Sequence, residues 1–248
     1  MADEVAIVTG GSRGIGRATA LKLAAAGLRV CVGYATNQQA ADEVVAKIAA
    51  GGGKALAVKC DVRSEVEILD LFIKADDLGQ LTALVNSAGI VDMTARVDQM
   101  SAQRIQRMMA INVVGTMLCA REAVKRMSTQ FGGKGGVIVN LSSAAAVLGS
   151  PGQYVDYATS KGAIDTFTVG LGREVAAEGI RVAAVRPGLI DTEIHASGGD
   201  PDRLQRLVGT VPMKRVGTAD EVAEAIVWLV SDKASYVTGT ILDVSGGR

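Results

Sequence analysis

The stretch GQYVDYATSKGA, residues 152–163, combines two tyrosines and a lysine at helical spacing. Tyrosine is a poor acid and a poor base at neutral pH, because its phenol has a reference pKa of about 10. Residues four apart share one face of a helix, so Tyr157 and Lys161 project together, whereas Tyr154 is followed at that spacing by Ala158. A neighbouring ammonium favours the phenolate and lowers the phenol pKa toward the working range. The spacing therefore indicates a tyrosine that gives or takes a proton.

Two serines end the apolar run that precedes this helix. The run VIVNLSS closes with Ser142 and Ser143. Side chains alternate along a strand, so only one of the two hydroxyls faces a given side. Because open α/β sheets bind ligands at the carboxyl ends of their strands, one of these hydroxyls is expected near the tyrosine. Strand alternation alone leaves Ser142 and Ser143 as two alternatives.

A glycine-rich turn lies near the N-terminus, in VAIVTGGSRGIGRATALKLAAAG. The pattern predicts a strand, a turn and an amphipathic helix, with Gly10, Gly14 and Gly16 spaced differently from the common GxGxxG fingerprint. Glycines let the backbone approach a pyrophosphate, and the helix N-terminus would bind that anion. The turn therefore indicates a dinucleotide site, with a purely structural turn as the alternative.

The end of the second strand bears on which dinucleotide binds. An NAD site usually places an acid about 20 residues after the glycines, where it binds the ribose 2′-hydroxyl. Here the strand ends in uncharged Thr36 and Asn37, and the nearest acid is Asp42. Arg13 could pair with a 2′-phosphate, although a solvated loop charge is the alternative. We expect NADP(H) to be preferred over NAD(H).

The elements that must position these groups alternate between short apolar runs and segments of helical period. Near-continuous apolar strands are typical of a parallel sheet covered on both faces. We therefore expect an α/β fold: one Rossmann-type domain over residues 1–248, doubly wound, with a mostly parallel seven-stranded sheet and helices on both faces. The predicted strands span residues 5–10, 28–34, 54–60, 81–89, 136–143, 180–188 and 240–247.

Two predicted helices begin with a capping box, a serine or threonine followed three residues later by a glutamate. The pairs are Ser64 with Glu67 and Thr218 with Glu221. Each helix also carries an apolar stripe at helical spacing. The stripes comprise Val66, Leu69 and Ile73 in the first helix, and Val222, Ile226 and Leu229 in the second.

Residues 189–217 have weak strand character, several glycines and two prolines, so we predict a mobile lid over the site. Residues 144–156 and 189–215 would build the substrate pocket. The only histidine, His195, falls in this segment, as a substrate contact or as an exposed loop residue.

Composition narrows the function classes. The 26 basic and 26 acidic side chains cancel, which gives no electrostatic argument for nucleic acid or an anionic membrane surface. No run of about 18 apolar residues occurs, so we expect no membrane span. A Ser-His-Asp hydrolase or a histidine-rich metal site would have to be built around the single histidine, and we expect no metal.

The cysteines and the N-terminus favour a cytoplasmic protein. Cys31, Cys60 and Cys119 are widely spaced, form no CxxC pair and lie in apolar stretches, so we expect buried free thiols in a reducing compartment. The opening MADEVAIVTGG carries acids where a signal peptide needs bases.

Taken together, the motifs resemble those of the short-chain dehydrogenases/reductases over essentially the whole chain. In order, they are TGGSRGIG (9–16), CDV (60–62), NSAG (86–89), Asn112 in INVVG, NLSS (140–143), YATSK (157–161) and RPGLIDT (186–192). The resemblance implies hydride transfer between a nicotinamide cofactor and a carbonyl or secondary alcohol.

The same resemblance implies roles for four catalytic residues. Tyr157 would exchange a proton with the substrate oxygen, and Lys161 would lower the phenol pKa and bind the nicotinamide ribose. Ser143 would hold the carbonyl oxygen, and Asn112 would position a water in a proton relay. Ser143 lies fourteen residues before Tyr157, one more than in many members of the family.

The expected cofactor residues come from six segments, most of them implied by the resemblance. Asp61 and Val62 would meet the adenine, and Thr192 would bind the carboxamide. In NSAG, Ser87 replaces the commoner asparagine. The full set is Gly10, Ser12, Arg13, Gly14, Ile15, Gly16, Thr36, Asn37, Asp61, Val62, Asn86, Ala88, Gly89, Tyr157, Lys161, Pro187, Gly188, Ile190 and Thr192.

The substrate, a small-molecule carbonyl or alcohol, stays open. The chain resembles both 3-oxoacyl-carrier-protein reductases and glucose-dehydrogenase-like members. For an acidic carrier protein, Lys125 and Arg126 would be basic contacts, with solvated charges as the alternative. A cofactor-sensing, non-catalytic binding protein on the same fold is the second hypothesis.

Three further expectations concern packing and assembly. Tyr154 would shape the substrate pocket or pack structurally. Trp228, on an apolar helix, would lie in the core or an interface. A homotetramer, or a homodimer, is implied by the C-terminal stretch GTILDVSGGR, which resembles the family's subunit-contact strand.

Overall fold

The computed structural model describes residues 3–193 and 202–248. Within them, seven parallel strands form one sheet in the order β3-β2-β1-β4-β5-β6-β9. The strand order reverses between β1 and β4, as in a doubly wound sheet. The strands are β1 (Glu4–Thr9), β2 (Arg29–Tyr34), β3 (Ala55–Lys59), β4 (Gln80–Asn86), β5 (Gly136–Leu141), β6 (Ile180–Pro187) and β9 (Thr240–Val244).

Helices connect these strands, and two short strands pair outside the main sheet. The short strands are β7 (Ile190–Asp191) and β8 (Gly217–Thr218). A π-helical turn, Ala110–Gly115, joins two of the helices. In chain order the helices are α1 (Gly14–Ala25), α2 (Gln38–Ala50), α3 (Glu65–Asp76), α4 (Ala102–Met109), α5 (Thr116–Met127), α6 (Ala145–Leu148), α7 (Val155–Glu174), α8 (Arg203–Leu207) and α9 (Ala219–Val230).

The core has two layers because strand side chains alternate between the faces of the sheet. Ala6 and Val8 face a cluster with α1, α2 and α9. Val5 and Ile7 face a second cluster with α3 and α5. Both faces are therefore covered, which confirms the predicted α/β class, the parallel sheet and the helices on both sides.

The α9 helix matches its predicted start and stripe. Thr218 Oγ1 accepts the Glu221 N–H at 3.2 Å, and the Glu221 carboxylate accepts the Thr218 N–H at 2.8 Å. Both halves of a capping box are present, so two backbone donors of the first turn are satisfied. The predicted stripe, Val222, Ile226 and Leu229, is fully buried.

The α3 helix departs from prediction in two ways. Ser64 accepts the Glu67 N–H, but the Glu67 carboxylate accepts the backbone N–H of Asp61, so only half of the box forms. The predicted stripe faces outward, with Val66 76% exposed. The helix EVEILDLFIKAD has apolar residues on two sides, and the side that contains Phe72 packs against the sheet. The buried stripe is Ile68, Leu71, Phe72 and Ala75.

The predicted lid is only partly described. Within residues 202–248 it contributes α8, and its first and last residues pair in the short sheet of β7 and β8. His195 lies outside the described residues, so its predicted alternatives stay open. Mobility of the lid stays a prediction. Among the described residues, no helix is both long and apolar enough to cross a membrane.

Replacing Thr218 with alanine removes the acceptor for one helix N–H and half of the capping box. Thr218→Ala is expected to lower the free energy of unfolding by about 1 kcal/mol, measured by urea denaturation. Ser235→Ala is the control, because it also removes a hydroxyl from an exposed residue. A Thr218→Ala variant as stable as this control would contradict the capping role.

Candidate active site

Within the described residues, the carboxyl ends of the parallel strands border a cavity of about 1000 Å³. The turns that follow β1 through β6 all contribute to its wall. Because open α/β sheets bind ligands at this edge, the cavity is the candidate active site. The predicted site residues that line it are Gly10, Ser12, Arg13, Gly14, Ile15, Thr36, Asn37, Asp61, Val62, Ala88, Gly89, Ser143, Tyr157, Lys161, Pro187, Gly188, Ile190 and Thr192.

Tyr157 and Lys161 lie on consecutive turns of α7, and both reach this cavity. Lys161 Nζ lies 5.7 Å from the centre of the Tyr157 ring. It donates a 2.6 Å hydrogen bond to the carbonyl of Leu141, at the end of β5. Burial lowers the pKa of the Lys161 ammonium from 10.5 to about 8, although the charge of Asp165 opposes this shift. The cavity thus holds a phenol beside a buried amine whose pKa is close to the working range.

The two serines after β5 point in different directions. The Ser142 hydroxyl is buried and lies 3.3 Å from the carbonyl of Lys161, to which it donates. Ser143 is half-buried, and its Oγ accepts the Ala145 N–H at 3.2 Å. Both residues border the cavity. Since the hydroxyl of Ser142 is directed into α7, the arrangement favours Ser143 as the hydroxyl available to a ligand.

Asn112 is buried in the π-helical turn and does not border the cavity. Its side-chain oxygen accepts the Ile90 N–H at 2.9 Å, and its amide donates to the Ile90 carbonyl at 3.0 Å. A Cβ built on Gly89 would lie 3.4 Å from Asn112 Oδ1 and 3.6 Å from Lys161 Nζ. The π-helical turn re-aims side chains, a device that recurs at functional sites. Here it lets Asn112 fix the cavity wall next to Lys161.

Gly16 and Asn86 also lie behind the cavity wall. A Cβ on Gly16 would lie 2.3 Å from the Gly10 carbonyl, so this glycine permits α1 to pack closely on the turn. The Asn86 amide donates at 3.0 Å to Asn140 Oδ1 on β5. Asn140 in turn donates at 3.0 Å to Thr168 Oγ1 on α7. The structure therefore buries the Asn86 side chain between β5 and α5, and its predicted contact with a cofactor stays a prediction.

The glycine turn leads directly into the N-terminus of α1. Gly10 and Gly14 have φ angles of +64° and +51°, which side chains rarely adopt. In the described residues no side-chain hydrogen bond caps α1 at Arg13, and its first turn contains no acid. The N–H groups of that turn are therefore available to an anion in the cavity.

Two loops form the cavity end nearest α2. Arg13, Thr36 and Asn37 border it, whereas Asp42 lies within α2 and does not. Asn37 Oδ1 accepts the Ala40 N–H at 3.0 Å and caps α2. A capping amide thus stands where an NAD site usually has a free carboxylate.

Arg63 borders the same end and was not predicted. It hydrogen-bonds the Asp61 carboxylate through Nε at 3.0 Å, and these bonds lower the pKa of Asp61 below its ordinary value. Its position two residues after Asp61, directly behind CDV, is the signal that sequence reasoning could have used.

Known proteins resemble this chain throughout. A family model described as enoyl-(acyl carrier protein) reductase matches residues 10–248. An uncharacterised oxidoreductase of Escherichia coli (strain K12) is 56% identical over 245 residues, covering 98% of this chain and 99% of that protein. A 3-oxoacyl-acyl-carrier-protein reductase of Synechocystis is 40% identical over 247 residues, covering 98% and 96%.

Solved structures agree. A variant of the Serratia marcescens short-chain dehydrogenase/reductase matches with a TM-score of 0.90 at 31% identity, covering 98% of this chain and 97% of that one. The chain belongs to the short-chain dehydrogenase/reductase family. A blue fluorescent protein from a metagenomic library, solved in complex with NADPH, matches with a TM-score of 0.90 at 32% identity, covering 98% and 97%.

Members of the short-chain dehydrogenase/reductase family are oxidoreductases that act on CH–OH or carbonyl groups and bind nicotinamide cofactors. The predicted family, enzyme class and fold are therefore confirmed. The assignment of individual site residues stays a prediction, and the geometry above shows which of them the fold brings to the cavity of this short-chain dehydrogenase/reductase.

Tyr154 borders the cavity and is buried. Thr94 Oγ1 donates to its hydroxyl at 2.9 Å. Tyr154 directly precedes α7, so its ring lies on the wall one turn before Tyr157. The position suits a pocket wall as well as a packing role.

The basic residues considered for a carrier protein have other partners. Lys125 and Arg126 both pair with Glu122, and Arg126 also binds Asp76 and stacks over Phe72. Neither borders the cavity. Arg126 connects α5 to α3, and Lys125 pairs with a residue of its own helix.

Other predicted features of this short-chain dehydrogenase/reductase are simpler. Trp228 is 40% exposed on α9, so it is not a core residue. Cys31, Cys60 and Cys119 are free and buried, as predicted, and burial raises the pKa of the first two to about 12. Within residues 3–193 and 202–248, no cluster of His, Cys, Asp and Glu could hold a metal ion.

The lowered pKa of Lys161 links protein stability to pH. Between pH 8 and 10.5 the unfolded chain keeps the Lys161 proton while the folded chain releases it, so stability rises with pH across this window. The free energy of unfolding of the wild type is therefore expected to rise relative to Lys161→Met from pH 8 upward. Urea titrations at several pH values measure the difference, and a difference independent of pH would contradict the buried, lowered amine.

Proposed function

We propose that the protein is an NADP(H)-dependent carbonyl reductase or alcohol dehydrogenase in which Tyr157 is the general acid or base. The observation that carries the proposal is the meeting of Tyr157, Lys161 and Ser143 at the wall of one cavity. A cofactor-sensing binding protein would need the glycine turn but not this trio, so the non-catalytic alternative is not favoured.

The cavity offers a dinucleotide both space and backbone hydrogen-bond donors. The first turn of α1 offers N–H groups to a pyrophosphate. A Cβ on Gly14 would lie 3.5 Å from Thr192 Cγ2 and would fill space between the glycine turn and the residues that follow β7. We assign the pyrophosphate to Ser12–Ile15, the adenine to Asp61 and Val62, and the carboxamide to Thr192. When bound, the nicotinamide supplies or accepts the hydride.

The protein's own residues then handle the substrate oxygen. Ser143 Oγ donates a hydrogen bond to it and fixes its place. Tyr157 donates its phenolic proton to that oxygen during reduction and accepts one during oxidation. The ammonium of Lys161 stabilises the phenolate left behind, because opposite charges attract strongly away from water.

Asn112 does not touch the substrate and instead supports the cavity wall. Its hydrogen bonds to Ile90 hold the loop after β4 in place beside Lys161. A relay water near Asn112, which the family resemblance implies, stays a prediction.

Three observations support NADP(H) over NAD(H). Arg13 borders the cavity beside Thr36 and Asn37, and all three are exposed there. Asn37 caps α2 through its oxygen, so no carboxylate stands at this place to repel a 2′-phosphate. A structural relative was solved with NADPH.

The apolar side chains of the cavity wall favour a carbonyl with apolar substituents. Val91, Leu148, Tyr154, Leu189 and Leu207 all border the cavity. Burying apolar substrate surface against such side chains stabilises the complex, whereas a sugar needs many polar partners. We therefore favour a ketone or acyl substrate over a glucose-like one, with Tyr154 as part of the pocket wall.

A homotetramer or homodimer and a cytoplasmic location stay predictions. The exposed part of Trp228 and the edge position of β9 leave the C-terminal region available for contact with a second copy.

Replacing Tyr157 with phenylalanine removes the phenolic proton and little else. With NADPH and a panel of ketones, 3-oxoacyl thioesters and glucose, the wild type is expected to reduce ketones or thioesters. Tyr157→Phe should lose about 10²-fold or more of that rate, the usual share of a positioned acid, and keep its NADPH affinity. Absorbance of NADPH and fluorescence titration measure the two quantities.

Tyr236→Phe, at a fully exposed tyrosine, is the matched control and should keep the wild-type rate. A Tyr157→Phe variant that retained a tenth of the wild-type rate would show that Tyr157 is not the acid. A wild type inactive on the whole panel would favour the sensor.

Replacing Arg13 with glutamine removes the cation expected to meet the 2′-phosphate. Arg13→Gln should weaken NADPH binding about 10- to 100-fold, since a charge-assisted hydrogen bond contributes roughly 1.5–3 kcal/mol. NADH binding should change less than twofold. Equal weakening of both cofactors, measured by fluorescence titration, would assign Arg13 to the pyrophosphate instead.

A further inference from the structure

Two charged side chains are buried together directly behind Tyr157. Asp156, the preceding residue, has a side chain 3% exposed, and Arg104 on α4 is 11% exposed. Arg104 Nε donates to Asp156 Oδ2 at 2.7 Å, and its Nη2 donates to Oδ1 at 3.2 Å. The guanidinium thus grips the carboxylate at two points, which fixes both orientation and distance.

The same carboxylate binds the backbone of the tyrosine. Asp156 Oδ1 accepts the N–H of Tyr157 at 2.9 Å. This N–H lies in the first turn of α7, where backbone donors have no partner within the helix. An acid there is also favoured by the helix dipole. The position of the peptide that carries Tyr157 therefore depends on a carboxylate that Arg104 holds.

The third contact of Arg104 reaches the loop after β4, whose first residues border the cavity. Its Nη1 donates at 2.6 Å to the carbonyl of Met93, in the loop after β4. That loop also touches the start of α7, because Thr94 Oγ1 donates to the Tyr154 hydroxyl and the Ala95 N–H donates to the Gln153 carbonyl at 3.0 Å. One guanidinium therefore connects α4, the wall after β4 and the helix of the proposed acid.

Stability alone does not account for such a pair. Removing two charges from water costs several kcal/mol per ion, and a well-packed apolar pair in the same place is often as stable or more so. An ion pair differs from apolar packing in fixing direction, since its hydrogen bonds tolerate little rotation. Such fixed orientation is useful at the turn that carries Tyr157, because the phenol must point at the substrate oxygen.

We propose that Arg104 and Asp156 are positioning residues for Tyr157, which hold its phenol at the place where it meets the substrate oxygen and Ser143. Neither residue borders the cavity in the described chain, so they act through Tyr157 and not on the substrate. The proposal rests on the proposed function of Tyr157 as proton donor.

Its test compares single and double variants with the best ketone or thioester substrate and NADPH. Arg104→Met and Asp156→Asn should each lower kcat about 10- to 100-fold, because small misplacements of a reacting group cost up to about 10² in rate. KM and the NADPH Kd should stay within twofold. The solvent deuterium isotope effect on kcat should increase, because proton transfer from a displaced phenol becomes rate-limiting.

The double variant, Arg104→Met with Asp156→Asn, separates positioning from folding. It leaves no buried charge without a partner and keeps an oxygen that can accept the Tyr157 N–H, so its Tm should return toward the wild-type value. Its kcat should stay low, because the two-point grip is gone. Arg104→Lys keeps the charge without the planar fork and should fall between the wild type and Arg104→Met.

A second ion pair on α4 provides the matched control. Arg107 binds Asp92 in the same loop, but Arg107 is 51% exposed and Asp92 is 19% exposed. The hydrogen bonds of these two side chains in the described residues do not reach α7. Arg107→Met with Asp92→Asn should leave kcat and the isotope effect within twofold of the wild type.

Three outcomes would overturn the proposal. One is recovery of both Tm and kcat in the double variant of Arg104 and Asp156. The second is loss of kcat in the single variants with an unchanged isotope effect, which would mark a general loss of folded enzyme. In both cases an active wild type leaves the function of Tyr157 standing. The third, a wild type that reduces no substrate, would remove the proposed function and this role with it.

Discussion

A buried ammonium must find an acceptor, and at Lys161 that acceptor is the carbonyl of Leu141, 2.6 Å away. The bond joins the first half of α7 to the end of β5. Tyr157 lies one turn earlier on the same helix, and Ser143 lies two residues after the same strand. The phenol, the amine and the serine hydroxyl converge because one hydrogen bond fixes strand and helix together. The burial that lowers the pKa of Lys161 also strengthens the electrostatic attraction between its ammonium and a neighbouring phenolate.

The remaining groups converge for a topological reason. Parallel strands end at one edge of the sheet, so turns far apart in sequence meet there. The glycine turn after β1, the CDV turn after β3 and the proline turn after β6 thus border one cavity. Behind it, the hydrogen bonds from Asn86 to Asn140 and from Asn140 to Thr168 join β4, β5 and α7. This polar layer fixes the positions of the strand ends relative to the helix of the proposed acid.

The loop after β4 is held from several sides. The Asn112 side chain accepts the Ile90 N–H and donates to the Ile90 carbonyl. Arg104 donates hydrogen bonds to the Met93 carbonyl and to the Asp156 carboxylate. The cavity wall after β4 is thereby attached to α4, to the π-helical turn and to α7. Positioned groups of this kind let a weak acid such as a phenol act efficiently, since the geometry is set before the substrate arrives.

The sequence by itself determined what depends on near neighbours: the parallel apolar strands, the capping box and stripe of α9, the glycine turn, and the shared face of Tyr157 and Lys161. These follow from the fixed periods of strand and helix. Tertiary structure alone decided which side of α3 is buried, that Asn86 meets Asn140, and that Arg104 meets Asp156. An apolar residue can pack, and a polar residue can pair, with many partners of the right kind. Which partner is present depends on how distant elements meet, and no local period of the sequence encodes that.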